Sequence, residues 1–306
     1  MPPQNNAPAF GEYLGAIKSL RKQLSNFGIS KKKRLKDLVK LFLFKEIPYV
    51  EVAVTTFCTL KCKDCANYIP DIGSDKHYLM TFDEYKRYLD NLLADIKKVH
   101  KLVLLGGEPF LNKDIEKILQ YSLEHPKVRK VKLVTNGTLD IPENIILLMK
   151  RYTNPLFPKI RFFISDYSLN KEIANRLKID AITAKLKKFG VPVSSVKSAM
   201  WYPVSAIKKY NRSAKENIRN FLACPFQCVS MTSNFLFVCP RAGFFKMYDT
   251  CKQNEGTEFF DLTKPVTLKD YLRFYSNVFF NACDYCNMIE DVKHSVLPAI
   301  QKENKK

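Results

Sequence analysis

An α/β fold on a parallel sheet, with a cysteine-rich C-terminal part, is predicted by three features of this chain. Short β-branched or apolar runs recur with helical patterns between them; unusual residues stand just after those runs; and cysteines crowd together after about residue 220. Repeated strand–helix units imply right-handed crossovers and a sheet that is either open or curved toward a barrel. In such sheets the chemistry gathers at the C-terminal ends of the strands.

In chain order, residues 1 to 48 predict a helical N-terminal extension, with one helix around Glu12 to Asn26 and a second around Ser30 to Phe44, ended by Pro48. The second begins with the basic run Lys31 to Arg34 and carries Leu35, Leu38, Val39 and Phe42 at helical spacing, a pattern that packs on its own domain or lies on a membrane surface. Residues 49 to 220 form the expected core domain. Its strands are Val50 to Thr55, Lys101 to Leu105, Val131 to Thr135 and Ile160 to Ser165. Thr81 and Glu84 make a capping box, followed at helix period by Tyr85, Tyr88, Leu89, Leu92, Leu93 and Ile96. Residues 113 to 124, 142 to 151 and 171 to 189 read as further helices, with Pro142 in the first turn of its own. The strand ends carry a cysteine cluster, then Gly106-Gly107-Glu108-Pro109, then Asn136-Gly137, then Asp166-Tyr167. Residues 221 to 306 form a second, metal-organised domain.

The 306 residues, with 46% apolar side chains, suffice for a large core. The sequence has no run of about 18 uncharged apolar residues and no signal-peptide layout, so no transmembrane segment and a cytoplasmic location are expected. Nine cysteines without an export signal argue for metal binding or catalysis over disulfides. A net charge of +20 favours an anionic partner or substrate, or reflects a lysine-rich solvated surface.

Residues 58 to 65 read CTLKCKDC. Four ligands close a structural zinc site, so three cysteines point to an open one. In a four-iron cluster held by three thiolates, one iron is free to bind another ligand. This CxxxCxxC after a first strand, with GGEP after the second, resembles the radical S-adenosylmethionine superfamily over roughly residues 50 to 200. The resemblance implies a partial (β/α)6 TIM-like barrel. It also implies a [4Fe-4S] cluster on Cys58, Cys62 and Cys65 whose open iron chelates S-adenosylmethionine, and an external electron donor of flavodoxin or ferredoxin type. Reductive cleavage then yields a 5′-deoxyadenosyl radical. Gly106 and Gly107 would let backbone approach a ligand, with Pro109 completing the motif, and Glu108 would accept from the methionine ammonium. Asn136 suits a ribose or carboxylate, and Asp166 a ribose or substrate hydroxyl. Asp64 stands where the family usually packs an aromatic or aliphatic residue on the adenine.

The later cysteines look like the auxiliary-cluster region of the SPASM/twitch branch. Cys283-Asp-Tyr-Cys286 is a CxxC pair, and Cys228 and Cys239 flank a hairpin in which Asn234 stands at the pattern's glycine. A second [4Fe-4S] cluster on Cys228, Cys239, Cys283 and Cys286 is implied, in the shorter twitch form. Cys224 is within reach and is an alternative to Cys228, Cys251 is expected to be a free thiol, and a four-cysteine zinc knuckle is the competing explanation.

The leading functional expectation is oxidation of a hydroxylated small molecule, a sugar, cyclitol or nucleotide-linked sugar, with the auxiliary cluster taking an electron. The alternatives are a peptide-modifying enzyme of the same branch and a zinc-stabilised nucleic-acid-binding protein; nucleic acid is not the expected partner. Catalytic side chains are unassigned. Tyr167, Arg161, Trp201 and Arg241 are candidates by position, and His77, His100, His125 and His294 show no ligand spacing.

Overall fold

The computed structural model describes residues 15, 18, 32–154, 156–197, 200–225 and 228–303. The expected helix around Glu12 to Asn26 lies outside them, apart from residues 15 and 18. Helix α1 (Lys32–Phe44) leads into the short strand β1 (Glu46–Ile47) and the first central strand β2 (Val50–Ala53). Then come α2 (Phe82–Leu92), the short β3 (Lys98–Val99) beside β1, and β4 (Leu102–Leu105). The alternation continues with α3 (Ile115–Glu124), β5 (Val131–Thr135), α4 (Glu143–Arg151), β6 (Ile160–Asp166), α5 (Ile179–Lys188) and β7 (Val193–Lys197). The C-terminal part contains α6 (Ala214–Ala223), β8 (Ser230–Thr232), β9 (Phe235–Phe237), α7 (Pro240–Met247), β10 (Phe259–Asp261), α8 (Leu268–Ser276) and α9 (Met288–Asp291).

Strands β2, β4, β5, β6 and β7 pair in parallel in that order, and β8 joins the other side of β2, also in parallel. Six parallel strands with helical crossovers make the expected partial barrel. Local chemistry explains the helices between them. At α2 the Thr81 hydroxyl accepts from Glu84 N at 3.3 Å and Glu84 Oε2 accepts from Thr81 N at 2.9 Å, closing the capping box. Its buried stripe of Tyr85, Tyr88, Leu89 and Leu92 contributes roughly 1.5–3 kcal/mol for each large apolar side chain removed from water.

Three expectations are corrected here. The segment 171 to 189 is not one helix: a single 3₁₀ turn at Ala174–Arg176 precedes α5. The boundary near residue 220 falls inside α6 and does not divide the core. Strand β8 extends the same sheet, and Val52 and Leu104 share one apolar cluster with Met231, Phe245 and Phe274. In the β8–β9 turn the left-handed residue is Ser233 (φ 53°), while the Asn234 amide donates to Asp261 Oδ1 at 3.0 Å. Helix α1 keeps Leu38 and Leu41 in the core and packs against α8, so those two side chains face protein. Among the described residues no helix is long and apolar enough to cross a membrane.

Candidate active site

The three cysteines of CTLKCKDC lie on the loop leaving β2, and Cys58, Cys62 and Cys65 all face one cavity of about 360 Å³ at the C-terminal ends of the parallel strands. Burial pushes the Cys58 thiol up to about 11 and Cys62 up to about 12, and raises Cys65 as well. Each sulfur nonetheless has an N–H donor that favours a thiolate or a metal-bound sulfur. Leu60 N is 3.4 Å from Cys58 Sγ, and the Asn136 amide is 3.6 Å from the same atom. The Gln301 amide is 3.6 Å from Cys62 Sγ, and backbone N–H groups of the turn after Cys65, those of Asn67 and Ile69 among them, oppose the rise at Cys65. Three thiols with donors already aimed at them, beside a cavity with room to spare, fit a cluster with one open iron.

The GGEP loop serves this site differently from the sequence expectation. A Cβ on Gly106 would lie 2.4 Å from Thr55 O, and one on Gly107 would lie 2.0 Å from Phe57 O. The close approach that needs glycine is thus to the cysteine loop, which is tied by Gly107 N to Thr55 O and Glu108 N to Phe57 O, both 2.8 Å. Both glycines also line the cavity. Glu108 does not. It is fully buried, and its carboxylate accepts from Thr135 Oγ1 and Asn136 N at 2.9 Å and from Phe110 N at 3.2 Å. Within the protein Glu108 braces the β4 and β5 loops against each other, and Pro109 opens the 3₁₀ turn behind it. Burial raises the Glu108 carboxyl to about 7 despite those donors.

Asn136 lines the cavity, where its amide also donates to Thr59 Oγ1 at 3.0 Å while its oxygen accepts from Thr138. Asp166 lies outside the cavity lining. Strand alternation puts Ser165 and Tyr167 on the cavity, whereas Asp166 is buried and accepts from Ser168 N at 2.9 Å. Tyr167 meets Trp201 edge-on at 5.3 Å, both on the cavity wall, and burial keeps the Tyr167 phenol protonated. Asp64 reaches the wall too, and its carboxylate accepts from Ser205 N at 2.9 Å. Arg161 is exposed on β6 and bonds Ser194, away from the site. His77, His100 and His125 take neighbouring side-chain or backbone partners and do not line it. No lysine or arginine lines this cavity among the described residues.

A feature invisible to spacing is the chain's end. Gln301 Oε1 accepts from Lys61 N at 2.8 Å, Ile300 O from Lys63 N at 2.7 Å, and Lys61 O from Lys302 N at 2.7 Å. Residues 300–302 therefore pair with the cysteine loop as an added strand, 239 positions away from Cys62.

The later cysteines surround a second, smaller cavity of about 30 Å³, lined by Cys224, Cys239, Cys283 and Cys286. Cys228 is beside this group but outside its lining, hydrogen-bonded to Glu51, which also accepts from Tyr49 Oη at 2.5 Å. Asn220 holds the CxxC turn by donating to Cys283 O and Cys286 O at 2.9 Å, and Arg212 Nη1 donates to Cys286 O at 2.7 Å. Cys251 lies on a separate cavity with Lys209, Arg212 and Lys252. Among the described residues no three His, Cys, Asp or Glu side chains converge tightly enough for one metal ion.

Residues 52–202 match the family described as the Radical SAM superfamily, and the loop, cavity and strand ends described above fall inside that span. The chain belongs to the radical SAM superfamily. Among curated relatives, the GTP 3′,8-cyclase of Syntrophomonas wolfei is 30% identical over 98 residues, 31% of this chain and 28% of that protein. The GTP 3′,8-cyclase of Clostridium perfringens strain 13 is 29% identical over 162 residues, 47% of this chain and 49% of that protein. The chain thus matches at most about half the length of these relatives. Among solved structures, BtrN in complex with AdoMet and 2-DOIA aligns at TM-score 0.50 and 14% identity, over 83% of this chain and 99% of that one. At that identity the likeness concerns the fold alone.

Proposed function

We propose that this chain is a two-centre radical SAM oxidoreductase of the twitch type, which dehydrogenates a hydroxylated small molecule such as a sugar, cyclitol or nucleotide-linked sugar. Cys58, Cys62 and Cys65 hold the first [4Fe-4S] cluster with S-adenosylmethionine, and Cys224, Cys239, Cys283 and Cys286 hold the second; Cys228 is left to Glu51. When bound, these groups supply a 5′-deoxyadenosyl radical that takes a hydrogen atom from carbon and an acceptor for the electron left behind. The rest falls to the chain. Gly106 and Gly107 keep the cysteine loop against β4, while Tyr167, Ser165 and Asn136 offer polar groups to orient a hydroxyl.

The observation that carries this reading is the contrast in ligand number and room. Three thiols face about 360 Å³, room for an exogenous ligand of the size of S-adenosylmethionine on an open iron. Four thiols face about 30 Å³. Four ligands leave no iron open, so the second centre suits electron transfer and not substrate binding. The name of the curated relatives points to GTP as another substrate. That reading is less favoured, because their match covers a limited span and no cation lines the first cavity among the described residues to meet a triphosphate. The external donor remains a flavodoxin or ferredoxin type.

The test is iron, sulfide and zinc analysis of anaerobically purified protein, followed by measurement of 5′-deoxyadenosine against a panel of polyols and sugar nucleotides. About eight irons per chain and substrate-dependent 5′-deoxyadenosine are expected. Colourless, zinc-bound protein that never cleaves S-adenosylmethionine sinks the proposal.

A further inference from the structure

The C-terminal cavity contains a positive charge that the described protein groups do not balance. Arg241, in the first turn of α7, is 3% exposed and lines this cavity with the four cysteines. Its Nη2 donates to Ala206 O at 3.2 Å and is 3.5 Å from Tyr285 O. Nε and Nη1 are buried without a hydrogen-bond partner among the described residues. The rings of Tyr68 and Phe245 wall the guanidinium at 5.1 and 5.9 Å. Among the described residues no carboxylate comes within ion-pair distance of it; Asp291 contributes only at longer range. A buried guanidinium with two idle N–H groups is strongly unfavourable unless an anion completes it. The group at hand is the set of thiols.

We infer that Arg241 is a positioning residue for the C-terminal centre, donating hydrogen bonds from Nε and Nη1 to its anionic sulfur and raising its reduction potential above that of the first. The inference rests on the two-centre reading above. Its physical basis is that reduction adds a negative charge, which a fixed cation and N–H donors stabilise in a site closed to water. Among the described residues no lysine or arginine lines the first site. Its sulfur donors are the neutral N–H groups of Leu60, Asn136, Gln301 and the loop after Cys65. Arg241 also sits between the two sites. Tyr68, against which it rests, donates from its backbone N to Cys65 O at 2.9 Å and from its hydroxyl to Val204 O at 2.8 Å.

The deciding experiment is a redox titration of the anaerobically reconstituted full chain, followed by electron paramagnetic resonance, for wild type, Arg241→Gln and Arg241→Lys. In Arg241→Gln the C-terminal midpoint falls by at least about 59 mV, a tenfold change in the one-electron equilibrium, while the first centre stays in place. Arg241→Lys, which keeps the charge and loses the planar fork, falls less. An unmoved C-terminal midpoint in Arg241→Gln overturns the inference. So does loss of that centre in both variants with the first centre intact, because Arg241 would then serve assembly and not potential. Failure of the two-centre reading is separately visible, as wild-type protein with about four irons and a single signal.

Discussion

Three thiols face about 360 Å³ at one end of the sheet, and four thiols face about 30 Å³ beside them. The first group is held by a loop that neutral N–H donors pin down; the second is clamped by Asn220 and Arg212 and has the Arg241 cation in its wall. Sulfur chemistry is common to both. What separates them is the number of ligands, the space left for anything else, and the sign of the nearest fixed charge. An open, roomy site with no cation in its lining among the described residues suits binding and bond cleavage. A closed, tight, positively charged one suits holding an electron.

The sharpest break of this comparison is at the first site. Replacing Cys58, Cys62 or Cys65 by alanine removes reductive cleavage of S-adenosylmethionine, with 5′-deoxyadenosine lowered by at least about 10⁶-fold to background, as read by chromatography. At the second site the expected loss is selective. Cys286→Ser lowers iron from about eight to about four per chain and stops product formation, while uncoupled 5′-deoxyadenosine persists. Cys228→Ser leaves the iron content unchanged, since Cys228 is bonded to Glu51 outside the cavity lining; a halved iron content would restore the hairpin cysteine to the ligand set.

Gly107→Ala tests whether the cysteine loop depends on backbone contact. The new Cβ would lie 2.0 Å from Phe57 O, so a loss of roughly 3–5 kcal/mol is expected in denaturant unfolding, with poor loading of the first centre only. Glu108 contributes a pH dependence. Its folded carboxyl titrates near 7, raised by burial from 4.5, so its stabilising contribution is complete below about pH 4.5 and is lost as pH rises through 7. Relative to Glu108→Gln, which lacks this titration, wild type should lose roughly 3 kcal/mol over that window, measured by urea unfolding at several pH values. Equal slopes for the two proteins would mean that Thr135, Asn136 and Phe110 already hold an anion.

How far these features were legible varies with their range along the chain. The strands β2, β4, β5 and β6 and the capping box before α2 stand in consecutive residues, and they form nearly as their patterns require. Strand β7 (VSSVK) escaped because it is half polar and largely exposed, which blurs the apolar signal of a buried parallel strand. Of the expected Asp166-Tyr167 pair after β6, Tyr167 lines the cavity and Asp166 does not. Tyr167 and Ser165 flank the expected Asp166, whose short carboxylate finds a local backbone partner. Glu108 was expected, from the GGEP resemblance, to accept from the methionine ammonium. Its burial by Thr135 and Asn136 depends on a second loop 27 positions away.

The sequence by itself determined the class: CxxxCxxC after one strand and GGEP after the next are local spacings, and the first of them puts three thiols on a single loop. Only the tertiary structure decided which cysteines line the second cavity, that Gln301 returns to Cys62, and that two N–H groups of Arg241 have no partner among the described residues. Those contacts join residues far apart in the chain, and their partners are chosen by how sheet and helices pack, which no spacing along the sequence records.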